Sequence, residues 1–461
     1  MVEGLRVLVV GAGPAGLAAA VAAAQSGAAV TVVDALPEPG GQVWRGLWGA
    51  PREGRAGAWF RALRSVPVDL RLGRRVITAP GPGRLGLLGP QGAEQLDYDR
   101  LILATGARER FLPFPGWTLP GVLGAGGLQA LAKGGLELRG RRVVVAGSGP
   151  LLLAVAAGLR ARGARVLVVA EQAGLGALLG LAPGLLARPR LLAQALPWIG
   201  LPLRTGAWVV RAEGAEGTDR LERVHLRTTA GPRVLEADYL ACGFGLVPNL
   251  YLARLLGCAL RDGRVVVDLL QRTSVPGLFA AGEATGIGGV DQALAEGGIA
   301  GLAAADPAVG AGGDLPASAG GDRPASAGGD LPASAGGDLA ASARALLAGS
   351  ARAPLAAAVR ARRWGRALAE AYALRPELRG LAEADTILCR CEAVPVGAVQ
   401  GCARGRDARL QARCGMGRCQ GRTCGPAAEF LFGWTPGGPQ QPLVPTPCAD
   451  LIDALAPSEP S

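Results

Sequence analysis

The residues best placed to do chemistry are five cysteines in two tight groups, Cys389-Arg-Cys391 and Cys414-Gly-Met-Gly-Arg-Cys419-Gln-Gly-Arg-Thr-Cys424, with Cys402 between them. Four thiolates can hold an iron-sulfur cluster, and glycines between them let backbone N–H groups approach and hydrogen-bond the sulfides. A Cys-x-Cys pair is tighter than the Cys-x2-Cys or wider spacing usual at structural zinc sites. The favoured chemistry is electron transfer through a [2Fe-2S] cluster, ahead of zinc binding and of unligated thiols. Cys389 and Cys391 supply two ligands. Spacing leaves open which two of Cys414, Cys419 and Cys424 complete the set, because each adjacent pair is separated by four residues.

A second constellation lies at the other end of the chain. Val7-Leu-Val-Val leads into Gly11-Ala-Gly13-Pro14-Ala15-Gly16, an Ala-rich helix, Val30-Thr-Val-Val33 and Asp34. Gly11 permits the tight turn, Gly13 lets backbone approach a pyrophosphate, and Gly16 lets the helix pack on the strand, its N-terminus facing the anion. Asp34 ends the second strand, where a carboxylate takes the ribose hydroxyls. The complete strand, loop, helix, strand and acid specify a dinucleotide site, and its position at the N-terminus favours FAD. Gly41 and Gln42, in the loop Gly40-Gly41-Gln42, are placed to wrap the same ligand, and the strand ending in Thr105-Gly106 returns backbone to it. Further on, Gly282-Glu283 ends a strand where a carboxylate can hold the ribityl chain, and Gln292 lies on the following helix, whose N-terminus can face the flavin pyrimidine.

Gly147-Ser-Gly149-Pro-Leu-Leu152 opens a second Rossmann unit whose second strand reaches Glu171. Leu152 stands where the third glycine belongs. The standard NAD geometry is therefore in doubt, and the site is open to NAD(P), to another adenine nucleotide or to a purely structural role. NADH is expected to be a poor electron donor. His225, the only histidine, lies on an alternating strand and reads as a packed or solvent-facing residue. No catalytic residue is singled out.

The elements that must position these groups fit an α/β chain of 461 residues with 49% apolar content, enough for about three domains. Two Rossmann-like domains are expected, with a small cysteine-rich iron-sulfur domain at the C-terminus. Residues 1–115 and 268–305 read as the FAD-binding domain, 116–267 as the second Rossmann domain and 344–384 as a helical connector. Residues 385–461 read as the iron-sulfur domain and tail. The stretch from Cys242 to Asn249 reads as a turn and helix start. Residues 306–343 form a linker that includes four octads, GGDLPASA, GGDRPASA, GGDLPASA and GGDLAASA, too rich in Gly, Pro and Ser to bury a core. The net charge of +11 comes from scattered Arg, Lys133 being the only lysine, which argues against a nucleic-acid partner. No apolar stretch reads as a membrane span and no leader precedes the first strand, so a cytoplasmic protein is expected.

Taken together, GAGPAG, Gly40-Gly41-Gln42, Ala104-Thr105-Gly106, Pro115-Gly-Trp-Thr-Leu-Pro-Gly121, Gly147-Ser-Gly149, Gly282-Glu283 and Gly415-Met-Gly-Arg-Cys-Gln-Gly-Arg resemble one family. It is that of the FAD/NAD(P)-binding subunits of hydrogen cyanide synthase, opine oxidase and dye-linked amino-acid dehydrogenases. The resemblance implies a glutathione-reductase-like two-domain flavoprotein with a C-terminal domain of the bacterioferritin-associated-ferredoxin type. It also implies that Cys419 and Cys424 join Cys389 and Cys391 as ligands, leaving Cys414 spare. By resemblance the chain is an oxidoreductase subunit of a hetero-oligomer. A second flavoprotein subunit of the amino-acid-oxidase type would oxidise a small amine or amino acid (glycine, an opine, proline or a sarcosine-like substrate), and this chain would relay electrons. The repeat linker departs from the family pattern. The alternative is a self-contained NAD(P)H-dependent reductase of a redox carrier, and a third reading is a non-catalytic redox-sensing or structural subunit. No cysteine precedes Cys242, so a thiol-disulfide reductase with a dithiol in its first residues is not expected.

Overall fold

A computed structural model of the chain describes residues 4–49, 53–215, 217–309, 345–346, 348–435 and 437–456; the octad repeats lie outside the described residues. The chain divides into two compact units: Met1–Arg108 with Pro248–Gly365 and Gly438–Ser461, and Glu109–Val247 with Arg366–Gly437.

The first unit is built on a parallel five-stranded sheet. Its order is Leu278–Ala280, Arg100–Leu103, Arg6–Val10, Ala29–Asp34, Val68–Leu72. Arg6–Val10 is central, with Val7 beside Val30 on one side and Arg100 on the other. A central parallel strand is covered on both faces, which is why Val7, Leu8 and Val9 are a continuous apolar run, all buried. The helix Pro14–Gln25 packs along the helix Gly289–Ala305, with small residues at the closest points. A Cβ at Gly297 would sit 2.1 Å from the Ala15 carbonyl oxygen, and one at Gly301 would sit 2.3 Å from that of Ala19. Backbone thus touches backbone, and the contact fixes the start of the second helix relative to the Gly11–Gly16 loop. Gly297→Ala is expected to cost about 1–3 kcal/mol by overpacking, read as a lower denaturation midpoint with an unchanged slope; an unaltered midpoint would contradict this packing.

The same unit carries an antiparallel meander, Arg75–Gly81, Arg84–Gly89 and Gly92–Asp97. The final helix, Cys448–Leu455, packs on it. The Gln95 side-chain amide donates to the carbonyls of Asp453 (3.2 Å) and Ala456 (2.7 Å). The Leu443 amide donates to the Ile77 carbonyl at 2.8 Å.

The second unit repeats the parallel architecture, in the order Leu203–Thr205, Arg165–Glu171, Arg142–Ser148, Tyr239–Phe244, Val122–Gly124. The stretch from Cys242, read from sequence as a turn, instead continues the strand Tyr239–Phe244, because its side chains from Leu240 onward are buried in the sheet. Leu152 is 1% exposed, and a full leucine at that contact changes the start of its helix. The Leu152 amide reaches the Gly149 carbonyl three residues back (3.1 Å), and the Ala154 amide stretches to Pro150 (3.4 Å). In the first unit the Leu17 amide bonds Gly13 with the regular four-residue spacing (2.9 Å).

The cysteine-rich segment belongs to this second unit. Trp117, in the Pro115–Gly121 motif, donates its indole N–H to the Ile387 carbonyl at 2.6 Å, and Arg211 pairs with Glu383 at 2.6 Å. Sequence patterns place His225 on a strand, and it lies on Leu221–Thr228 with Nε2 3.0 Å from Glu213.

Candidate functional site

In the first unit, the three glycines of the loop do different work. Gly11 has φ +111, and a Cβ there would lie 2.2 Å from the Ala104 carbonyl oxygen; a Cβ at Gly16 would lie 1.7 Å from that of Gly11. Both are demanded by the protein's own packing. Gly13 has an ordinary φ of −75, and its nearest neighbour across a Cβ would be the Gly41 Cα at 3.9 Å. Gly41, at φ +59, lies backbone against backbone with Gly13, since a Cβ on Gly41 would sit 3.0 Å from the Gly13 Cα. Pro14 and Ala15 open the helix, while Gln42 is exposed.

Asp34 accepts the Ala12 amide at 2.6 Å and the Leu36 amide at 2.7 Å. Burial raises its pKa, partly offset by those two bonds. Thr105 and Gly106 are locked by a residue that sequence patterns did not single out. The Thr105 hydroxyl donates to the Asn249 carbonyl (2.7 Å), the Asn249 side-chain amide donates to the Thr105 carbonyl (2.9 Å), and the Asn249 backbone amide donates to Gly106 (2.9 Å).

Glu283 accepts the Gly289 amide on Oε1 at 2.8 Å, and burial raises its pKa. Its Oε2 is buried and has no hydrogen-bond partner among the described residues. An orphaned buried carboxylate oxygen calls for a donor, which a ribityl hydroxyl would supply. Gly282 is tied to a second carboxylate, also missed by sequence reading: Glu296 has no exposed surface. It accepts from the Gly282 amide (2.9 Å), the Thr285 hydroxyl (2.5 Å) and Arg362 (2.7 Å), and Arg362 also reaches Gln271 at 3.2 Å. Gln292 is buried and donates to the Gly286 carbonyl at 3.2 Å. The glycine loop with its open side at Gly13, Asp34 and the orphaned Glu283 oxygen are a set that FAD would suit.

In the second unit, Cys389, Cys414 and Cys424 are buried with their sulfurs all within 4.8 Å of one another. The Gly415 amide donates to the Cys389 sulfur at 3.4 Å. Thiol donation from Cys414 and Cys424 pulls the Cys389 pKa down to about 2, while donation to Cys389 pushes Cys414 up to about 12, against an opposing contact with Cys424, and pushes Cys424 upward. Cys391 and Cys419 are in hydrogen-bonding contact with each other. Gly417 permits the approach, since a Cβ there would lie 2.3 Å from the Cys391 Cβ. Cys414, read as the spare thiol, is thus drawn in beside Cys389 and Cys424. Thiolates backed by amide donors in a glycine-rich loop suit an iron-sulfur cluster.

The remaining cysteines offer no redox dithiol. Cys242 and Cys258 lie in different units, and burial pushes their thiols up to about 12 and about 11. Neither supplies the thiolate that disulfide exchange requires. Gly147 and Gly149 keep the turn of the second Rossmann loop, at φ +141 and +113, with the Gly149 amide donated to Glu171 at 2.8 Å.

Residues 5–312 match the family described as pyridine nucleotide-disulphide oxidoreductase. The chain is 33% identical to an opine oxidase subunit of Rhizobium meliloti, over 91% of this chain and 90% of the relative. It is likewise 33% identical to the HcnB subunit of hydrogen cyanide synthase from Pseudomonas aeruginosa, over 91% of each. Among solved structures, L-proline dehydrogenase from P. horikoshii superposes with a TM-score of 0.60 at 18% identity, covering 98% of this chain and 81% of that one. Among the described residues no helix is long and apolar enough to cross a membrane.

Proposed function

Because the chain belongs to the pyridine nucleotide-disulphide oxidoreductase family and, within it, to the subunits typified by those of opine oxidase and hydrogen cyanide synthase, we propose that it relays electrons between FAD and a [2Fe-2S] cluster inside a heteromeric amine or amino-acid dehydrogenase. It is an FAD-dependent oxidoreductase. The finer reading rests above all on one observation. Cys389, Cys414 and Cys424 are brought together, with Cys391 and Cys419 in contact, while Cys242 and Cys258 are buried thiols in different units. FAD, when bound, can exchange electrons in pairs or singly, and so can match a two-electron oxidation to a one-electron cluster. The chain's own part would be to hold the diphosphate at the Gly11–Gly16 loop and the helix start that follows it, the ribose on Asp34 and the ribityl chain on Glu283. Two pairs of thiols, Cys389 with Cys424 and Cys391 with Cys419, would give each iron two ligands. Amine oxidation itself belongs to a partner flavoprotein of the amino-acid-oxidase type, and the substrate is a small amine or amino acid.

Co-expression of this chain with a flavoprotein of that type encoded beside it tests the reading. The two are expected to purify together and to reduce a dye with an amino acid such as proline, glycine or sarcosine, while this chain alone leaves the dye oxidised. Amine-dependent dye reduction by this chain alone, or two proteins that never associate, would refute the heteromeric relay.

A further inference from the structure

The family implies a pyridine nucleotide at the second Rossmann unit, where the acid ending the second strand holds the adenosine ribose. The two units treat that acid differently. Both acids accept two backbone amides, Asp34 from Ala12 and Leu36 and Glu171 from Gly149 and Ala173, the latter two each at 2.8 Å, but Asp34 keeps part of its surface open whereas Glu171 is 3% exposed. The neighbours of Glu171 are engaged by the segment that follows the helix Arg352–Ala371. Ser148, between the two loop glycines and 3% exposed, donates its hydroxyl to the Tyr372 carbonyl at 3.0 Å. Gln172, immediately after the acid and fully buried, donates to the Ser148 hydroxyl (3.0 Å) and to the Ala373 carbonyl (3.1 Å). It also accepts the Arg375 amide at 3.1 Å, and the Arg375 guanidinium reaches the Gln172 carbonyl at 3.4 Å. Tyr372 lies close enough to Glu171 for its charge to raise the phenol, after burial itself, to about 12.

We infer that residues 372–375 form an intramolecular cap over the second nucleotide crevice, so that NAD(P)H cannot reach Glu171 unless the cap is displaced. The residues present do not fit a bound nicotinamide nucleotide: the ribose acid is buried, and the Ser148 and Gln172 side chains beside it are satisfied by the carbonyls of Tyr372 and Ala373 and the amide of Arg375. The cap is distinct from the loss of the third glycine at Leu152. Leu152 disturbs the helix start, whereas the cap covers the acid and the turn. It is also independent of the proposed iron-sulfur relay, since a capped crevice and a missing cluster are separately measurable.

The full-length flavoprotein is titrated with NADH by fluorescence, and hydrogen exchange of 372–375 is followed with and without it. Wild type is expected to show no saturable binding in the micromolar range and slow exchange at the Ala373 to Arg375 amides. Gln172→Ala removes both side-chain bonds to the cap, and Ser148→Ala removes a third. Each is expected to speed that exchange and tighten NADH binding about tenfold, because apparent affinity scales with the open fraction. Retained flavin absorbance verifies folding, and should one variant fail to fold, the other and the wild type decide. NADH binding by wild type at micromolar concentration with the 372–375 amides still protected would overturn the cap. So would variants that exchange faster without binding NADH more tightly.

Discussion

Gly13→Val is expected to yield folded protein that purifies without flavin. The usual difficulty with glycine substitutions, that the protein itself breaks, does not arise at this position. Gly13 has an ordinary φ of −75, and its Cβ would meet only the Gly41 Cα at 3.9 Å. The branched side chain instead fills the space where backbone must come close to the pyrophosphate. Flavin per chain, measured by absorbance after release, should fall from near one to near zero, while far-ultraviolet circular dichroism stays as in wild type. The melting temperature should drop to that of flavin-stripped wild type, since stabilisation by ligand mass action is lost. Gly16→Val is the informative contrast, because a Cβ there would lie 1.7 Å from the Gly11 carbonyl oxygen and the protein should not fold. Full flavin occupancy in Gly13→Val would remove the diphosphate from this loop.

Cys424→Ala is expected to abolish the visible absorbance of the cluster and its reduced-state EPR signal, with FAD retained. Cys424 is buried against Cys389, and a four-thiolate cluster would lose one of its buried ligands; signals kept in Cys424→Ala but lost in the Cys414→Ala/Cys424→Ala double variant would show the neighbouring Cys414 thiol taking its place. Cys419→Ala should do the same through the Cys391 pair. Cys414→Ala carries the sharper question. Its sulfur lies in the same group as Cys389 and Cys424, yet under the proposed ligand set Cys389 with Cys424 and Cys391 with Cys419 would already provide the four thiolates, so the signals should survive. A cluster lost in Cys414→Ala and kept in Cys419→Ala would reassign the ligands to the buried group. Stoichiometric zinc without iron in anaerobically prepared protein would overturn the relay.

Sequence patterns reached the parts of the fold where one short segment carries the whole physical reason. The Gly11–Gly16 loop, its helix and Asp34 are contiguous, and their glycine spacing states a geometric requirement that few alternatives satisfy. The cysteine groups are legible for the same reason. What escaped depends on residues brought together from far apart. Glu296 sits in an Ala- and Gly-rich helix, where a lone acid reads as solvent-facing, and only Arg362, 66 positions on, explains its complete burial. Asn249 locks Thr105 from 144 positions away. Trp117 reads as part of a Pro/Gly turn until Ile387 accepts its N–H. Gln172 and Ser148 look like ordinary polar residues near a turn, and the backbone of Tyr372 and Ala373 gives them their role. At Cys242 the local signal pointed the wrong way: glycines at 243 and 245 suggest a turn, while the parallel partners Arg142–Ser148 and Val122–Gly124 hold the stretch extended.

The first unit gathers three separated stretches of chain, the last of them beginning at Gly438. Its meander is covered by the helix Cys448–Leu455, so during synthesis the flavin fold stays unfinished until that helix has left the ribosome. In the interval the second unit, whose last stretch ends at Gly437, has every residue it needs. Such sequence-distant closure is slow and leaves apolar surface exposed to aggregation while it lasts. The parallel sheet of the first unit has all its strands once Leu278–Ala280 is made, so the meander is the part of that unit that waits for the last stretch of chain.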